Sequence, residues 1–567
     1  MRQHSDIAGK VPMMFRAQVN GRCQLQFIDQ ERRKQKQKQD ADLWADEWID
    51  KTDPDAPEFG NDVQTRSYQM SWRFVTNSGQ DDGVIRPVIG AKGWPFYPGS
   101  SMKGVFRQAC DTSQADRYCG RATKDDFIPG ILRFHGGYPT DDSWTEDLVD
   151  IVHPQQDRQV KAEGRSSAFI QMSLYKPELQ FGISSIISLS TEEWDTVWQI
   201  WEQAIAAGLG CRVSAGYGQP QQQSGDVIYH TRLKGQGQAA KLITGEGEFR
   251  PNIFRAAIRG HALRIFGGLT DANTAEALVK TLFGGIGREG ATVGLLSMAF
   301  QTDEARSEMD WFGQGSYEQP TYEIEGKLLW MLTRSLPDLQ RQALTKLIEA
   351  LTRFAMVLGG FGKSWRRADH RLVYPGYYDQ GYKPLIGCHW EWIGKRAQIR
   401  DVRFRKLEKF TDFMTEVQTA AQNWMQSQDI SPRPSMYAAT WREAWHPKKV
   451  QVWGRLTKKM EGIEDSQAVE WLHGPYRQAI PTARVYEGSI YKSSLTGQMG
   501  QIGRLWHRMY PYIRLVKDPQ NDGKPMPLET SQYFELLTLF PDDEPETLDF
   551  LDFLDHQQNM FQKLWPA

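Results

Sequence analysis

The stretch Phe96-Tyr-Pro-Gly-Ser-Ser-Met-Lys-Gly-Val-Phe-Arg-Gln-Ala-Cys110 joins the end of an aromatic strand to a helix. The Pro-Gly pair indicates a turn, and Ser100 or Ser101 is a natural N-cap for the helix that follows. Lys103 and Arg107 are four residues apart, so both lie on one face of that helix. Free N–H groups in the first turn, with a lysine nearby, make a site for an anion. The same pattern also suits an ordinary capped helix of a protein core.

Length and composition bound the kind of protein that this chain can be. Its 567 residues exceed what one hydrophobic core holds, which predicts roughly two to four domains. With 40% hydrophobic and 24% charged residues, the composition is that of a folded globular protein. The five cysteines are scattered without CxxC spacing, which favours a reducing cytoplasm over disulfides or a zinc site. No apolar run reaches the ~18 residues of a membrane span and no signal peptide opens the chain, so we expect a cytoplasmic protein without a membrane partner.

The charges are segregated although the net charge is only −2. Residues 250–264 contain four arginines and no acid, and a second basic stretch spans 363–371. Acids are concentrated at 542–555. Separated signs in a nearly neutral chain suit a protein that binds a polyanion on one face, although chance clustering on solvated faces gives the same pattern.

The order of predicted elements is repeated along the chain. One pass runs strand, loop, basic helix, glycine, strand, polar excursion, strand, helix and glycine-rich loop, and it ends at residues 208–218. A second pass begins with a strand at 227–233 and ends in a glycine-rich loop at 359–367. A repeat of about 200 residues predicts two copies of one domain in tandem. The last third, 396–567, is less legible and could be an extension or insertion of the second domain, or a small third domain.

Several of these motifs resemble the RAMP superfamily, the backbone subunits of CRISPR effector complexes. Residues 96–104 resemble its IPGSSLKG signature, and the glycine-rich loops at 208–218 and 359–367 resemble the loop that closes each RAMP domain. Tyr118-Cys-Gly120 and Leu282-Phe-Gly284 lie where that family has its FG segment. Two RAMP units in one chain are similar to the fused backbone subunits of variant, III-D-like, type III complexes.

The resemblance implies an α+β fold of two tandem ferredoxin-like (RRM-like) RAMP domains with a long C-terminal extension or insertion. We therefore expect a first domain at 10–225, with an insertion loop at about 29–66 that holds a short helix near 43–49. A second domain is expected at 226–395, and 396–567 is an extension of unknown fold.

The resemblance also implies that the chain binds the phosphates of a guide RNA and contacts the target RNA that pairs with it. Helices that carry Lys or Arg, together with glycine loops, suit binding led by the main chain and leave sequence recognition to base pairing. The polar excursions at about 140–170 and 301–320 are expected to be thumb hairpins that wedge into the guide–target duplex. Trp365 stands among basic residues and is expected to stack on a base. The residues expected to bind RNA are Ser100, Ser101, Lys103, Arg107, Arg212, Ser214, Arg255, Arg259, Lys363, Ser364, Trp365 and Arg366.

A carboxylate on the loop before the signature supports target cleavage in the type III members of this family. Asp81-Asp82-Gly-Val-Ile resembles the family's Asp-x-Pro-Val-Ile, with Gly83 in place of the proline. Asp81 and Asp82 are therefore both catalytic candidates, and Asp81 is the metal-binding candidate. The implied cofactor is Mg²⁺ or Mn²⁺, which would offset charge as the RNA 2′-hydroxyl attacks its phosphodiester. The second copy has only Glu246 and Glu248 in this loop, so we expect it to bind RNA without cutting.

Three functions are therefore compared. The first is a catalytic backbone subunit that assembles with guide RNA, target RNA and the other RAMP and large-subunit proteins of a type III complex. The second is a scaffold of the same complex that does not cut. The third is an endoribonuclease that processes guide precursors, which requires histidine acid–base chemistry, whereas His135, His153 and His507 are scattered.

Overall fold

The structure is a computed structural model, and it describes residues 40–81, 84–122, 126–152, 157–161, 169–222, 225–242, 244–287, 290–477, 488–498, 501–519, 523–556 and 560–566. Helices and mostly antiparallel sheets alternate through these residues, so the predicted α+β class is confirmed. Within the described ranges, no helix is both long and apolar enough to cross a membrane.

The N-terminal unit comprises the described residues between 40 and 222. Its strands are β1 (Gln64–Gln69), β2 (Arg73–Phe74), β3 (Gly79–Asp81), β4 (Val84–Arg86), β5 (Gly120–Ala122), β6 (Phe127–Pro129), β7 (Leu132–Pro139), β8 (Val149–Val152), β9 (Phe169–Met172), β10 (Leu174–Tyr175) and β11 (Glu178–Ser185). Its α-helices are α1 (Asp40–Asp50), α2 (Gly99–Ala109), α3 (Thr112–Gln114), α4 (Asp157–Lys161) and α5 (Thr191–Ala206).

The main sheet of this unit is antiparallel, with the strand order β1, β11, β7. A bridge between Met70 and Pro220 adds a third pairing next to β1. Helices α2 and α5 pack against each other and α2 contacts β7, while Phe181 of β11 meets Trp201 of α5 with ring centroids 5.0 Å apart. The helix predicted near 43–49 is confirmed as α1, since its apolar side packs on the same core.

A second sheet of the N-terminal unit has the order β3, β4, β9, β8. Strands β3 and β4 form a hairpin, where a loop was predicted, and β9 and β8 come from the polar excursion predicted at 140–170. The stretch before the signature and the excursion are therefore joined in one sheet.

The middle unit comprises the described residues between 225 and 400. Its elements are β12 (Val227–Gln238), β13 (Ala240–Lys241), β14 (Gly247–Glu248), α6 (Asn252–Leu269), α7 (Ala272–Phe283), β15 (Gly285–Gly287), β16 (Gly290–Thr292), β17 (Leu296–Thr302), β18 (Glu308–Phe312), β19 (Gln319–Leu332), α8 (Asp338–Leu358), α9 (His370–Val373), β20 (Cys388–Trp392) and α10 (Lys395–Arg400). Its main sheet has the order β17, β19, β12, β20, and β18 pairs with β19 as a hairpin in the excursion predicted at 301–320.

The C-terminal unit follows helix α11 (Phe410–Ser427) and comprises the described residues from 451 to 566. Its elements are β21 (Gln451–Leu456), α12 (Gln467–His473), β22 (Gly497–Gln498), β23 (Gln501–Ile502), β24 (Leu505–Lys517), β25 (Pro525–Leu539), α13 (Pro545–His556) and β26 (Gln562–Trp565). Its main sheet has the order β24, β25, β21, β26.

The main sheets of the three units share one topology. In chain order each runs strand, helix, strand, strand, helix, strand. Across the sheet, these strands lie in the order second, third, first, fourth. In the N-terminal unit the bridge at Pro220 stands in place of the fourth strand. The C-terminal unit falls in the last third of the chain, for which the sequence left an extension, an insertion or a small third domain open.

The C-terminal unit shares its core with the middle unit. Phe354 of α8 meets Trp445 with ring centroids 4.7 Å apart, and the guanidinium of Arg508 donates to the carbonyls of Met356 at 3.1 Å and Trp390 at 2.5 Å. The described residues of the last third of the chain are therefore packed against the middle unit.

The predicted serine cap of α2 was wrong. Helix α2 begins at Gly99, one residue before Ser100, and has no side-chain cap. A Cβ on Gly99 would lie 2.0 Å from the carbonyl oxygen of Phe134, so the start of the helix is packed closely against β7. Ser190 caps α5, whereas α6 has no side-chain cap.

Candidate nucleic-acid interface

The first turn of α2 presents the hydroxyls of the signature to solvent. Ser100 and Ser101 are exposed, and Lys103 is half-buried, with its Nζ 6.0 Å from the ring centre of Phe127. The first turn of the helix has no acidic residue. This end of α2 therefore has free N–H groups, two hydroxyls and a lysine, which are the groups that bind a phosphate.

Arg107 has a structural role that weakens its candidacy. Its guanidinium donates to the carbonyls of Gly120 at 2.5 Å and Ala115 at 3.4 Å. These bonds tie the last turn of α2 to the segment that leads into β5. Although Arg107 is exposed, two of its hydrogen-bond contacts are already made within the chain.

The loop that closes the N-terminal unit lies against the middle unit. Arg212 and Ser214 are half-buried in this loop, and Arg212 has a left-handed backbone with φ 60°. The amide of Gln219, from the same loop, donates to the hydroxyl of Ser297 on β17 at 3.2 Å. Burial lowers the pKa of Arg212. The loop thus brings a partly desolvated guanidinium to the junction of the two units.

Arg255 and Arg259 of α6 lie at this junction beside Arg212. Burial, together with the charges of Arg259 and Arg212, lowers the pKa of Arg255 to about 9. Arg255 donates to the carbonyl of Phe283 at 2.6 Å, and Arg259 forms an ion pair with Asp157 of α4. Arg212 and the two arginines of α6 are therefore neighbours in the fold, although they are far apart in the sequence.

Arg250 extends this cluster and was not selected from the sequence. It forms an ion pair with Asp150 at 2.6 Å and donates to the carbonyl of Ile151 at 2.9 Å, both on β8. Asp150 is fully buried and also accepts from the Tyr217 hydroxyl at 2.9 Å. The run of arginines from 250 to 264 indicated a basic surface. The sequence did not show which of these arginines face the junction.

Lys363 and Ser364 are exposed in the loop that closes the middle unit. Burial of its stem lowers the pKa of Lys363, and the charge of Arg250 lowers it further. Lys363 lines a cavity of about 230 Å³ together with Lys241, Arg250 and Asn252. We call the set Arg212, Arg250, Arg255, Arg259 and Lys363 the junction cluster.

The expectation that Trp365 stacks on a base disagrees with its burial. Trp365 is only 4% exposed, and its ring lies 4.9 Å from that of Trp506. Arg366 is also buried, with an ion pair of 2.8 Å to Glu443. Because Glu443 and Trp506 belong to the last third of the chain, the local sequence around Trp365 did not reveal them. We leave both residues out of the proposed RNA-binding surface.

Glu248, one of the two acids in the matching loop of the second copy, is paired within the protein. Glu248 accepts from the guanidinium of Arg73 at 2.5 Å and from the indole N–H of Trp72 at 2.8 Å. It is buried in the contact between the N-terminal and middle units. This carboxylate therefore holds the two units together.

Asp81 is the last residue of β3 and pairs with Val84 of β4. Asp82 lies outside the described residues. Val84 pairs with Ile170, and Ile170 pairs with Ile151. Three inter-strand spacings of roughly 5 Å separate the main chain of Asp81 from the strand that Arg250 contacts.

Metal binding at Asp81 is untested. Among the residues whose side chains are described, no group of three or more His, Cys, Asp or Glu is placed to hold an ion. The side chains of Asp81 and Asp82 both lie outside that set, so binding of Mg²⁺ or Mn²⁺ stays a prediction.

Of the three histidines considered for acid–base chemistry, the two that are described have different partners. His135 contacts the hydroxyl of Ser184 at 2.8 Å, whereas His507 is buried against Glu535 at 3.1 Å. His153 lies outside the described residues.

No protein-family model matches the chain, and no curated protein matches it either. Among solved structures, a chain of the type III-B Cmr-beta complex bound to cognate target RNA is 18% identical, with a TM-score of 0.22. The match covers 27% of this chain and 55% of that one. A chain of a type IV-B CRISPR complex is 19% identical with a TM-score of 0.19, over 27% of this chain and 88% of the other.

Proposed function

We propose that this chain is an RNA-binding backbone subunit of a CRISPR RNA-guided effector complex of type III character. Its partners would be a guide RNA, the target RNA that pairs with it, and the other RAMP and large-subunit proteins of the complex. The observation that carries the proposal is the junction cluster, in which Arg212 of one unit lies beside Arg255 and Arg259 of the next.

The shared topology supports the RAMP assignment. A strand–helix–strand–strand–helix–strand unit with its strands in the order fourth, first, third, second is the ferredoxin-like arrangement that the sequence resemblance implies. We propose that the tandem domains at 10–225 and 226–395 are of this kind, and that 451–565 is a third.

The electrostatics of the junction cluster favour a polyanion. Five cations meet there, and the described carboxylates that pair with them are Asp150 and Glu248, on Arg250, and Asp157, on Arg259. The low pKa of Arg255 reflects the cost of holding its charge near other arginines with little water. Phosphates would offset that repulsion without reading any base, as guide binding requires.

The test is whether the purified chain carries RNA and whether the junction cluster holds it. We expect the full chain to copurify with short RNA, and Arg212→Ala/Lys363→Ala to retain at least tenfold less. Arg334→Ala/Arg514→Ala, which removes two exposed arginines elsewhere, is the control and should retain the wild-type amount. Wild-type chain free of RNA, or equal retention in both variants, would refute the proposal.

Target cleavage is the second part of the proposal. Asp81 ends a hairpin that shares a sheet with Asp150, the residue that Arg250 contacts, so a strand bound at the junction would pass near it. We expect Asp81→Ala/Asp82→Ala to abolish cutting of a guide-complementary RNA while leaving RNA retention unchanged. Unchanged cutting in that variant, or no cutting by the assembled wild-type complex, favours the scaffold that does not cut.

A further inference from the structure

A second cavity, of about 410 Å³, lies between residues 367–386 of the middle unit and residues 472–473 and 491–497 of the C-terminal unit. It is separate from the junction cluster, and none of the residues expected to bind RNA lines it. We call it the tyrosine–histidine cavity. Its volume is within the range of ordinary small-molecule sites.

Aromatic rings crowd one wall of this cavity. The ring centroid of His473 lies 4.8 Å from that of Tyr377, 5.5 Å from Tyr374 and 5.0 Å from His370. Tyr374, Tyr377 and His473 are each partly exposed, so their rings are accessible to a ligand. Such a wall offers π-faces to a flat aromatic group.

The two histidines present hydrogen-bond acceptors. Nδ1 of His473 donates to the carbonyl of Val469 at 2.8 Å, and Nδ1 of His370 donates to that of Ala368 at 3.0 Å. Burial lowers the pKa of His370 to about 3 and also lowers that of His473. In the neutral ring each Nε2 is therefore an acceptor, and neither has a hydrogen-bond partner in the described part of the chain.

Two lysines supply positive charge at the same cavity. Nζ of Lys383 lies 5.5 Å from the ring centre of Tyr377, and Nζ of Lys492 lies 5.1 Å from that of Tyr491. Neither lysine has an ion-pair partner among the described residues, and no described Asp or Glu lines the cavity. Arg367 donates to the carbonyls of Leu505 and, at 2.9 Å, Thr496, which fixes one wall.

From this geometry we propose that the tyrosine–histidine cavity binds one nucleotide. Its base packs against Tyr377 and His473, its phosphate meets Lys383 and Lys492, and base N–H or ribose hydroxyl groups donate to the histidine Nε2 atoms. An acidic peptide would use the lysines but leave the rings and acceptors without partners. The nucleotide could be free or part of a single strand of RNA, since both have the same chemistry.

The proposal does not rest on the function proposed for the junction cluster. The test uses the full chain and two probes that contain 4-thiouridine: the free monophosphate, and a six-nucleotide oligouridylate with one such base. After irradiation, cross-linked peptides are identified by mass spectrometry. We expect cross-links to Tyr374, Tyr377 or Tyr491, which line the cavity.

Lys383→Ala/Lys492→Ala should lower the cross-link yield at these tyrosines at least fivefold. Lys459→Ala/Lys517→Ala, which removes two exposed lysines outside the cavity, should leave it unchanged. Tyr377→Phe should keep the cross-link at Tyr374 or Tyr491, because it keeps the ring, whereas Tyr377→Ala should lose it.

The two probes distinguish the sources. Cross-linking by the monophosphate assigns the cavity to a free nucleotide, and cross-linking by the oligonucleotide alone assigns it to a strand. No cross-link to cavity peptides with either probe, or equal yield in Lys383→Ala/Lys492→Ala, overturns the proposal. The amount of RNA that copurifies through the junction cluster should not change in any of these variants.

Discussion

Arg264 of α6 and Glu443 form an ion pair at 2.6 Å in which both side chains are fully buried. Glu443 also pairs with Arg366 at 2.8 Å and Arg442 at 3.0 Å, so one carboxylate serves three guanidinium groups. Trp506 lies over Arg264, with the guanidinium carbon 5.1 Å from the ring centre. This cluster joins the middle unit to the last third of the chain.

Replacing Glu443 should therefore cost more stability than a single hydrogen bond. Glu443→Ala leaves buried arginines without a counter-charge, and we expect a loss of about 3–5 kcal/mol in the free energy of unfolding. Urea denaturation, monitored by tryptophan fluorescence, measures this loss of stability. Glu464→Ala removes an exposed acid and should change stability by less than about 0.5 kcal/mol. Similar midpoints for the two variants would contradict the buried cluster.

Glu535 should make the C-terminal unit sensitive to acid. Burial alone would raise the pKa of this carboxyl, but its bonds to His507, Arg455 and Ser466 hold it at about 2. Because the folded-state pKa lies below the ordinary value, the contribution is complete above about pH 4.5 and is lost as pH falls towards 2. It amounts to about 3 kcal/mol, from the pKa difference.

The measurement compares wild type with Glu535→Gln at several pH values. The stability difference between them should be largest at pH 5 and above and should shrink by pH 3. A difference that stays constant between pH 5 and pH 3 would show that the folded-state pKa is not depressed.

Two glycines of α2 provide a matched pair for the signature. A Cβ at Gly99 meets the main-chain oxygen of Phe134, whereas a Cβ at Gly104 meets nothing within 4 Å. Gly99→Ala should shift the start of the helix, destabilise the protein by about 1–3 kcal/mol and reduce RNA retention. Gly104→Ala should stabilise it by about 0.5–1 kcal/mol and retain RNA normally. Measurements of thermal unfolding and of RNA retention distinguish the two variants. Equal effects of the two substitutions would contradict this packing of the signature helix.

The salt dependence of RNA binding should report the loss of phosphate contacts. For single strands the slope of log K against log salt changes by about 0.7 per phosphate, so Arg212→Ala/Lys363→Ala should make it shallower by about 1.4. Binding titrations of one oligoribonucleotide at salt concentrations from about 50 to about 200 mM give this slope. A parallel line displaced to weaker affinity would indicate that the two residues act indirectly.

Local patterns in the sequence were enough to predict many of the local elements and the class of the fold. Helix α8 and strand β19 have apolar spacing that is visible in the sequence, and α1 was recognised inside a long insertion. The helix after the Pro-Gly turn of the signature was predicted, although its predicted serine cap is absent. Periodicity, turns and basic clusters depend on residues a few positions apart, which is why they can be read along the chain.

Only the tertiary structure decided which side chains meet. Trp365 and Arg366 lie in a basic loop, but Glu443 and Trp506 bury them from 77 and 141 residues away. The same kind of distant contact brings His473 to His370. Burial and charge pairing depend on these partners, and a single sequence does not show which segment will cover a given face.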